Sequence, residues 1–199
     1  MKKDWTTKIY TKEGLVKKNI LDGHTALDIG CGQHKLPGSF GVDFVKNSKA
    51  DVIHDLSKTP WPLSSDSFDL IFSNHALKYI EDIAAVLGEI HRIAKRGGVA
   101  VIQVPYFRSV DAFADLTHRH FFTSESFEHF TEGTKTSDYR YTNFVFRKVG
   151  FWYGWPQISN NPFARIFKRF IHRFPRFYDQ YLSLLFPVKC LTWELEVIK

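Results

Sequence analysis

The spacing of apolar residues changes several times along the chain. Residues 6–22 carry Ile9, Tyr10, Leu15, Val16, Ile20 and Leu21 among lysines, which predicts an amphipathic helix stopped by Asp22-Gly23. From Ala26 the apolar runs shorten. Ala26-Leu-Asp-Ile-Gly30, Phe40-Gly-Val-Asp-Phe44, Asp51-Val-Ile-His-Asp55 and Phe68-Asp-Leu-Ile-Phe-Ser73 read as four strands, with loop residues between the third and fourth. Helical spacing returns at Ile83, Val86, Leu87, Ile90 and Ile93, predicting a helix over 80–95 closed by Gly97-Gly98. Val99-Ala-Val-Ile-Gln-Val104 is a fifth strand, almost wholly apolar. Beyond it, 144–152 reads as a strand, 162–186 as a helix broken at Pro175, and 191–198 as a final alternating strand. Strands too apolar to face water, alternating with helices, imply an α/β fold with a parallel sheet covered on both sides.

Composition adds two points. The chain has 199 residues, suiting one domain over 1–199, and its 19 Phe, 8 Tyr and 5 Trp crowd the half after Tyr106. Within that half, 106–138 reads as an active-site loop insertion and 161–187 as a basic aromatic helical insertion. The net charge of +6 favours an acidic partner or surface, and two cysteines, Cys31 and Cys190, exclude a disulfide framework. Met1-Lys-Lys-Asp-Trp5 lacks the apolar run of a signal peptide, and no stretch is long enough to span a bilayer. The expectation is a cytoplasmic protein, soluble or peripheral on the inner membrane face.

The sharpest chemical signal is Leu27-Asp-Ile-Gly-Cys-Gly32 directly after the first strand. A strand ending in Gly-x-Gly turns tightly and lets a ligand touch backbone. Asp43 closes the second strand, where an acid can accept from both hydroxyls of a ribose, and Asp55 closes the third, beside an adenine edge. Gly30 and Gly32 could merely shape a turn, but the ordered acids at successive strand ends weigh against that. A nicotinamide dehydrogenase shares the glycine turn and acid, yet Gly30-Cys-Gly32-Gln-His-Lys35 lacks the third glycine that packs helix on strand under a pyrophosphate.

These motifs, with Phe68-Asp-Leu-Ile-Phe-Ser-Asn-His75 and the helix into Gly97-Gly98, resemble in order those of class I S-adenosylmethionine-dependent methyltransferases over residues 25–105. The resemblance implies a Rossmann-like, mostly parallel seven-stranded sheet whose last strand is antiparallel. It implies Asp43 on the ribose, Gly30 and Gly32 with Cys31 beside the methionine portion, and Asp55 with Leu56 at the adenine. Asp28 would help hold the amino-acid end, with Phe44 and Asn74 completing the cofactor site. The chain departs from the family at 33–38, too short for the usual crossover helix, so an extended loop or single turn is expected there.

For the transferred methyl, a hydroxyl acceptor wants a positioned base. Ser73-Asn-His75 ends the fourth strand, and Asp115-Leu-Thr-His118-Arg-His120-Phe-Phe-Thr123 follows the fifth, so His118, His75 and Asp115 are the catalytic candidates. The segment Asp115-x-Thr117-His118-x-x-x-Phe122-Thr resembles a loop in a bacterial branch of the family linked to polysaccharide and glycoconjugate synthesis. Asp115 and Thr117 could equally cap a turn over a packed His118. No carboxylate cluster follows the fourth strand, and no metal is expected.

Residues 163–176 interleave Phe163, Ile166, Phe167, Phe170, Ile171 and Phe174 with Arg165, Lys168, Arg169, Arg173 and Arg176, an amphipathic helix. It could lie on the sheet with solvated cations outside, or meet anionic lipid or a lipid-linked substrate through 163–186. Nucleic acid is the least expected partner of so phenylalanine-rich a stripe. The overall expectation is O-methylation of a glycan or lipid-linked small-molecule acceptor. The alternatives are a non-catalytic cofactor-binding regulatory module at a membrane surface or, further off, an NAD-dependent oxidoreductase.

Overall fold

The computed structural model describes residues 24–134, 142–154 and 161–199, together with Tyr10–Thr11 and Gly14–Leu15. Those last two pairs form a small antiparallel ladder, so the helix expected over 6–22 does not run through them; the remainder of that segment lies outside the described residues.

The main sheet has seven strands: β1 (Ala26–Ile29), β2 (Phe40–Asp43), β3 (Val52–Ile53), β4 (Phe68–Asn74), β5 (Ala94–Pro105), β6 (Val145–Tyr153) and β7 (Cys190–Ile198). Their spatial order is β3-β2-β1-β4-β5-β7-β6. The pairs from β3 through β5 are parallel, while β7 runs antiparallel to both β5 and β6. This is the Rossmann-like α/β arrangement expected from the sequence. The order reverses between β1 and β4, and in such sheets ligands bind beyond the carboxyl ends at that point.

Burial explains which apolar runs became central strands. Leu27, Ile29, Leu70, Ile71, Phe72 and Val101 are enclosed on both faces, as a covered parallel sheet requires. Helix α1 (Ile83–Ile93) lays Val86, Leu87, Ile90 and Ile93 into this core, and its Asp82 cap accepts from the Ala85 N–H at 2.9 Å. The cap explains why the helix starts at Ile83. The residues expected to open it, Ile80–Asp82, stay outside the helix, and a single 3-10 turn over Leu77–Tyr79 precedes them. At the other end, Ala94 already belongs to β5.

Residues 30–39 cross from β1 to β2 without a helix, as their length required. Leu36, fully buried, plugs this crossover in a helix's place. After β5 come the short helix α2 (Val110–Phe113) and a loop whose Phe122 bridges back to Tyr106. After β6, α3 (Pro162–Arg173) is capped by Asn161, whose Oδ1 accepts from the Phe163 N–H at 2.9 Å, and short helical turns follow over Pro175–Phe177 and Tyr178–Leu182. Among the described residues no helix is long and apolar enough to cross a membrane.

Candidate active site

The glycine turn after β1 is built by two close approaches. Gly30 has φ +68°, and a Cβ there would stand 2.3 Å from the Ala76 Cβ on the segment leaving β4, so backbone conformation and space both require glycine. Its N–H donates to the Val42 carbonyl at 2.8 Å, and the Gly32 N–H donates to Asp43 Oδ2 at 2.8 Å. The other Asp43 oxygen accepts from the Val45 N–H at 2.8 Å. One buried carboxylate therefore shapes the turns after both β1 and β2, and keeps acceptor capacity beyond those two bonds.

A cleft of about 580 Å³ opens at this switch point. Of the residues predicted from sequence, Gly30, Gly32, Asp43, Phe44, Asp55, Leu56, Asn74 and His75 line it. Phe44 is largely exposed on its rim, and the Asn74 Oδ1 is buried without a hydrogen-bond partner. Nothing stands within 4 Å of where a Gly32 Cβ would project. Acids at strand ends, an unpaired amide oxygen and an apolar rim suit a nucleoside that carries hydroxyls and a cationic amino-acid arm. Asp55 stays strongly acidic, chiefly because the Ser57 N–H donates to it.

Two predicted cofactor residues stand outside the cleft. Asp28 Oδ2 accepts from the Leu36 N–H at 2.7 Å and so pins the helix-free 30–39 crossover. Burial pushes its carboxyl up to about 7, with the neighbouring Asp43 charge adding to the shift. Cys31 is packed under the turn, and burial pushes its thiol up to about 11, which suppresses the thiolate a nucleophile needs.

The catalytic candidates converge from two segments. His75 takes φ +59°, a left-handed turn unusual for a side-chain-bearing residue, and lines the cleft just past β4. Burial drops it to about 4, with Lys78 adding, so the ring is neutral near pH 7; its Nδ1 is buried and unpartnered. His118 and Asp115 do not line the cleft themselves. They stand behind Tyr79, which does: the Tyr79 hydroxyl donates to Asp115 Oδ2 at 3.1 Å, and its ring meets His118 edge-on with centroids 5.1 Å apart. His118 Nδ1–H donates to the Ala112 carbonyl at 2.8 Å, and its Nε2 is buried, without a hydrogen-bond partner, 3.9 Å from Asp115 Oδ2. The capped turn is present too. Asp115 Oδ1 accepts from the Thr117 hydroxyl at 2.6 Å and from its N–H at 2.9 Å, which hold the carboxyl down to about 2.

The loop carrying these groups hangs on the cleft wall. The Arg119 N–H donates to the Lys78 carbonyl at 2.8 Å, and His120 Nε2 donates to the Ile80 carbonyl at 2.7 Å. Tyr79 and Ile80 were missed from sequence. Any residue between β4 and α1 must pass over the strand-end crevice, and that position was the available signal. Among the described residues, no group of His, Cys, Asp or Glu is arranged to hold a metal.

Residues 27–102 match the type 11 methyltransferase domain family. A comparison with curated proteins found no match. Among solved structures, an S-adenosylmethionine-dependent methyltransferase from Archaeoglobus fulgidus is similar, with TM-score 0.56, 18% identity, and coverage of 87% of this chain and 86% of that one. A Haloferax volcanii structure of the Trm112 methyltransferase activator in complex with a methyltransferase gives TM-score 0.54 and 18% identity over 89% and 84% of the two chains. An S-adenosylmethionine-dependent methyltransferase from Mesorhizobium loti gives 0.51 and 18% over 87% and 90%. By matched domain and by fold the chain is thus similar to S-adenosylmethionine-dependent methyltransferases, and S-adenosylmethionine is the cofactor that this domain indicates.

Proposed function

We propose that the protein methylates a hydroxyl oxygen of a glycan or lipid-linked small molecule, with His118 receiving the acceptor's proton. The carrying observation is the state of that imidazole: its tautomer is fixed by the Ala112 carbonyl, and its free Nε2 sits against the Asp115–Tyr79 pair at the cleft wall. When bound, S-adenosylmethionine supplies an electrophilic methyl on a sulfonium. Asp43 holds the ribose, Asp55 and Leu56 the adenine, and Asn74 the ammonium of the amino-acid arm. Phe44 covers the adenine from the rim, while the Gly30 and Gly32 backbone admits the methionine chain. His75, kept neutral by burial, adds no charge repulsion where the sulfonium sits. Tyr79 stands between the acceptor and the base pair and passes the proton on: its hydroxyl takes the acceptor's proton as its own moves through Asp115 Oδ2 to His118 Nε2, and the restored Asp115 charge stabilises the imidazolium.

The test is release of S-adenosylhomocysteine when purified protein and cofactor meet glycan and lipid-linked glycan fractions. Cofactor binding without release on any fraction would reject the enzyme reading and leave a cofactor-binding module.

A further inference from the structure

We infer that the carboxyl end of the sheet docks on an anionic lipid bilayer through an exposed apolar ridge on α3. β6 reaches that end at Tyr153 and β7 leaves it at Cys190, which pairs with Pro105 at the end of β5. The segment between β6 and β7 therefore stands on the same edge as the cleft.

The helix does not bury its whole apolar arc. Ile171 is enclosed and Phe167 partly so, but Phe163 is 81% and Ile166 65% exposed, with Phe170 and Phe174 continuing the same strip. At 100° per residue this strip lies between the sheet-facing side and the strip of Arg165, Arg169 and Arg173. A helix serving only to cover the sheet would expose cations, not this second band. Leu184, Leu185 and Phe186 extend the exposed apolar surface beyond the helix. The loop after β5, at the same end, exposes Val110 and leaves Leu116 99% accessible.

Charge selects the occupant. Residues 161–178 hold five cations and no acid. Arg176 pairs with Glu125, and burial lowers Lys168, which sits on the half-buried flank. Arg165, Arg169 and Arg173 make no ion pair among the described residues and border the apolar strip. A second copy would set cation against cation across such an interface. Anionic headgroups with acyl chains beneath them match both strips at once. The surface stands on these side chains alone, independent of the transfer reaction.

The test is co-sedimentation of the full chain with vesicles of phosphatidylglycerol and phosphatidylcholine, against phosphatidylcholine alone. The protein should pellet with the mixed vesicles at low ionic strength, far less with neutral ones, and progressively less as salt is added. Each cation at an anionic surface contributes about fivefold in partitioning, so Arg165→Glu, Arg169→Glu and Arg173→Glu together should lower it by about a hundredfold or more. The exposed pair Phe163→Ser and Leu116→Ser, which the fold does not use, should also weaken it. S-adenosylmethionine affinity, measured by calorimetry, should stay unchanged in both variants. Wild-type protein remaining in the supernatant with anionic vesicles at low salt overturns the inference. So does a wild-type dimer, seen by light scattering, that Ile166→Glu dissociates, since a second copy then covers the ridge.

Discussion

Asp43→Ala tests the cofactor site and the turn that builds it in one substitution. A carboxylate offers about four acceptor positions, and here two are taken by the Gly32 and Val45 N–H groups, each at 2.8 Å. What remains is the capacity assigned to the ribose. A hydrogen bond to a charged group contributes about 1.5–3 kcal/mol, so losing the ribose contact should weaken S-adenosylmethionine binding about 10- to 150-fold. The same change strands two backbone donors, and folding stability should fall by about 2–4 kcal/mol. Asp43→Asn should lose stability as well, by less than the alanine variant. Its single oxygen can serve only one of the two N–H groups, so the amide nitrogen opposes the other donor and the turn is still disturbed. Titration calorimetry gives the affinities and urea unfolding the stabilities. A folded Asp43→Ala protein that binds the cofactor as tightly as wild type would remove Asp43 from the ribose and undo the reading of the cleft.

Three further outcomes follow from the site and its supports. His118→Ala should lower turnover about a hundredfold while leaving cofactor affinity alone; an unchanged rate would return His118 to a packing role. The Asp28 carboxyl, pushed up to about 7 when folded against ~3.9 unfolded, holds an extra proton in the native state between those values, so its stability contribution falls as pH rises through that window. Asp28→Asn keeps an acceptor for the Leu36 N–H and should gain stability relative to wild type at pH 8 but not at pH 4, read by chemical denaturation. Asp179 accepts from the Tyr106 and Tyr153 hydroxyls at 2.8 and 2.7 Å and from the Ser124 hydroxyl at 2.7 Å. Asp179→Ala should therefore destabilise the fold by about 2–5 kcal/mol in urea unfolding, and a loss below ~1 kcal/mol would mean water replaces the carboxylate.

The parts of the fold carried by local pattern were legible. Apolar runs marked the central strands, the glycine turn and strand-end acids marked the switch point, and the short 33–38 connection announced a helix-free crossover. Tertiary packing decided what local pattern could not. Lys168 looks outward by sequence, yet the side of α3 it occupies faces the protein. Asp28 carries a motif position, but burial turns it toward the Leu36 N–H. Tyr79 belongs to no periodic pattern; only the docking of the 115–122 loop on 78–81 makes it the partition between cleft and base.

That docking ties together two binding events. The 78–81 segment presents Tyr79 and Ile80 to the cleft on one side and holds Asp115, Arg119 and His120 on the other. A ligand that steadies this shared wall from the cleft lowers the ordering entropy left for an acceptor entering at the loop. Linkage makes the influence reciprocal: the acceptor must tighten cofactor binding by the same factor. Each ligand therefore binds more tightly when the other is already in place. The product nucleoside should leave more readily once the methylated acceptor has gone.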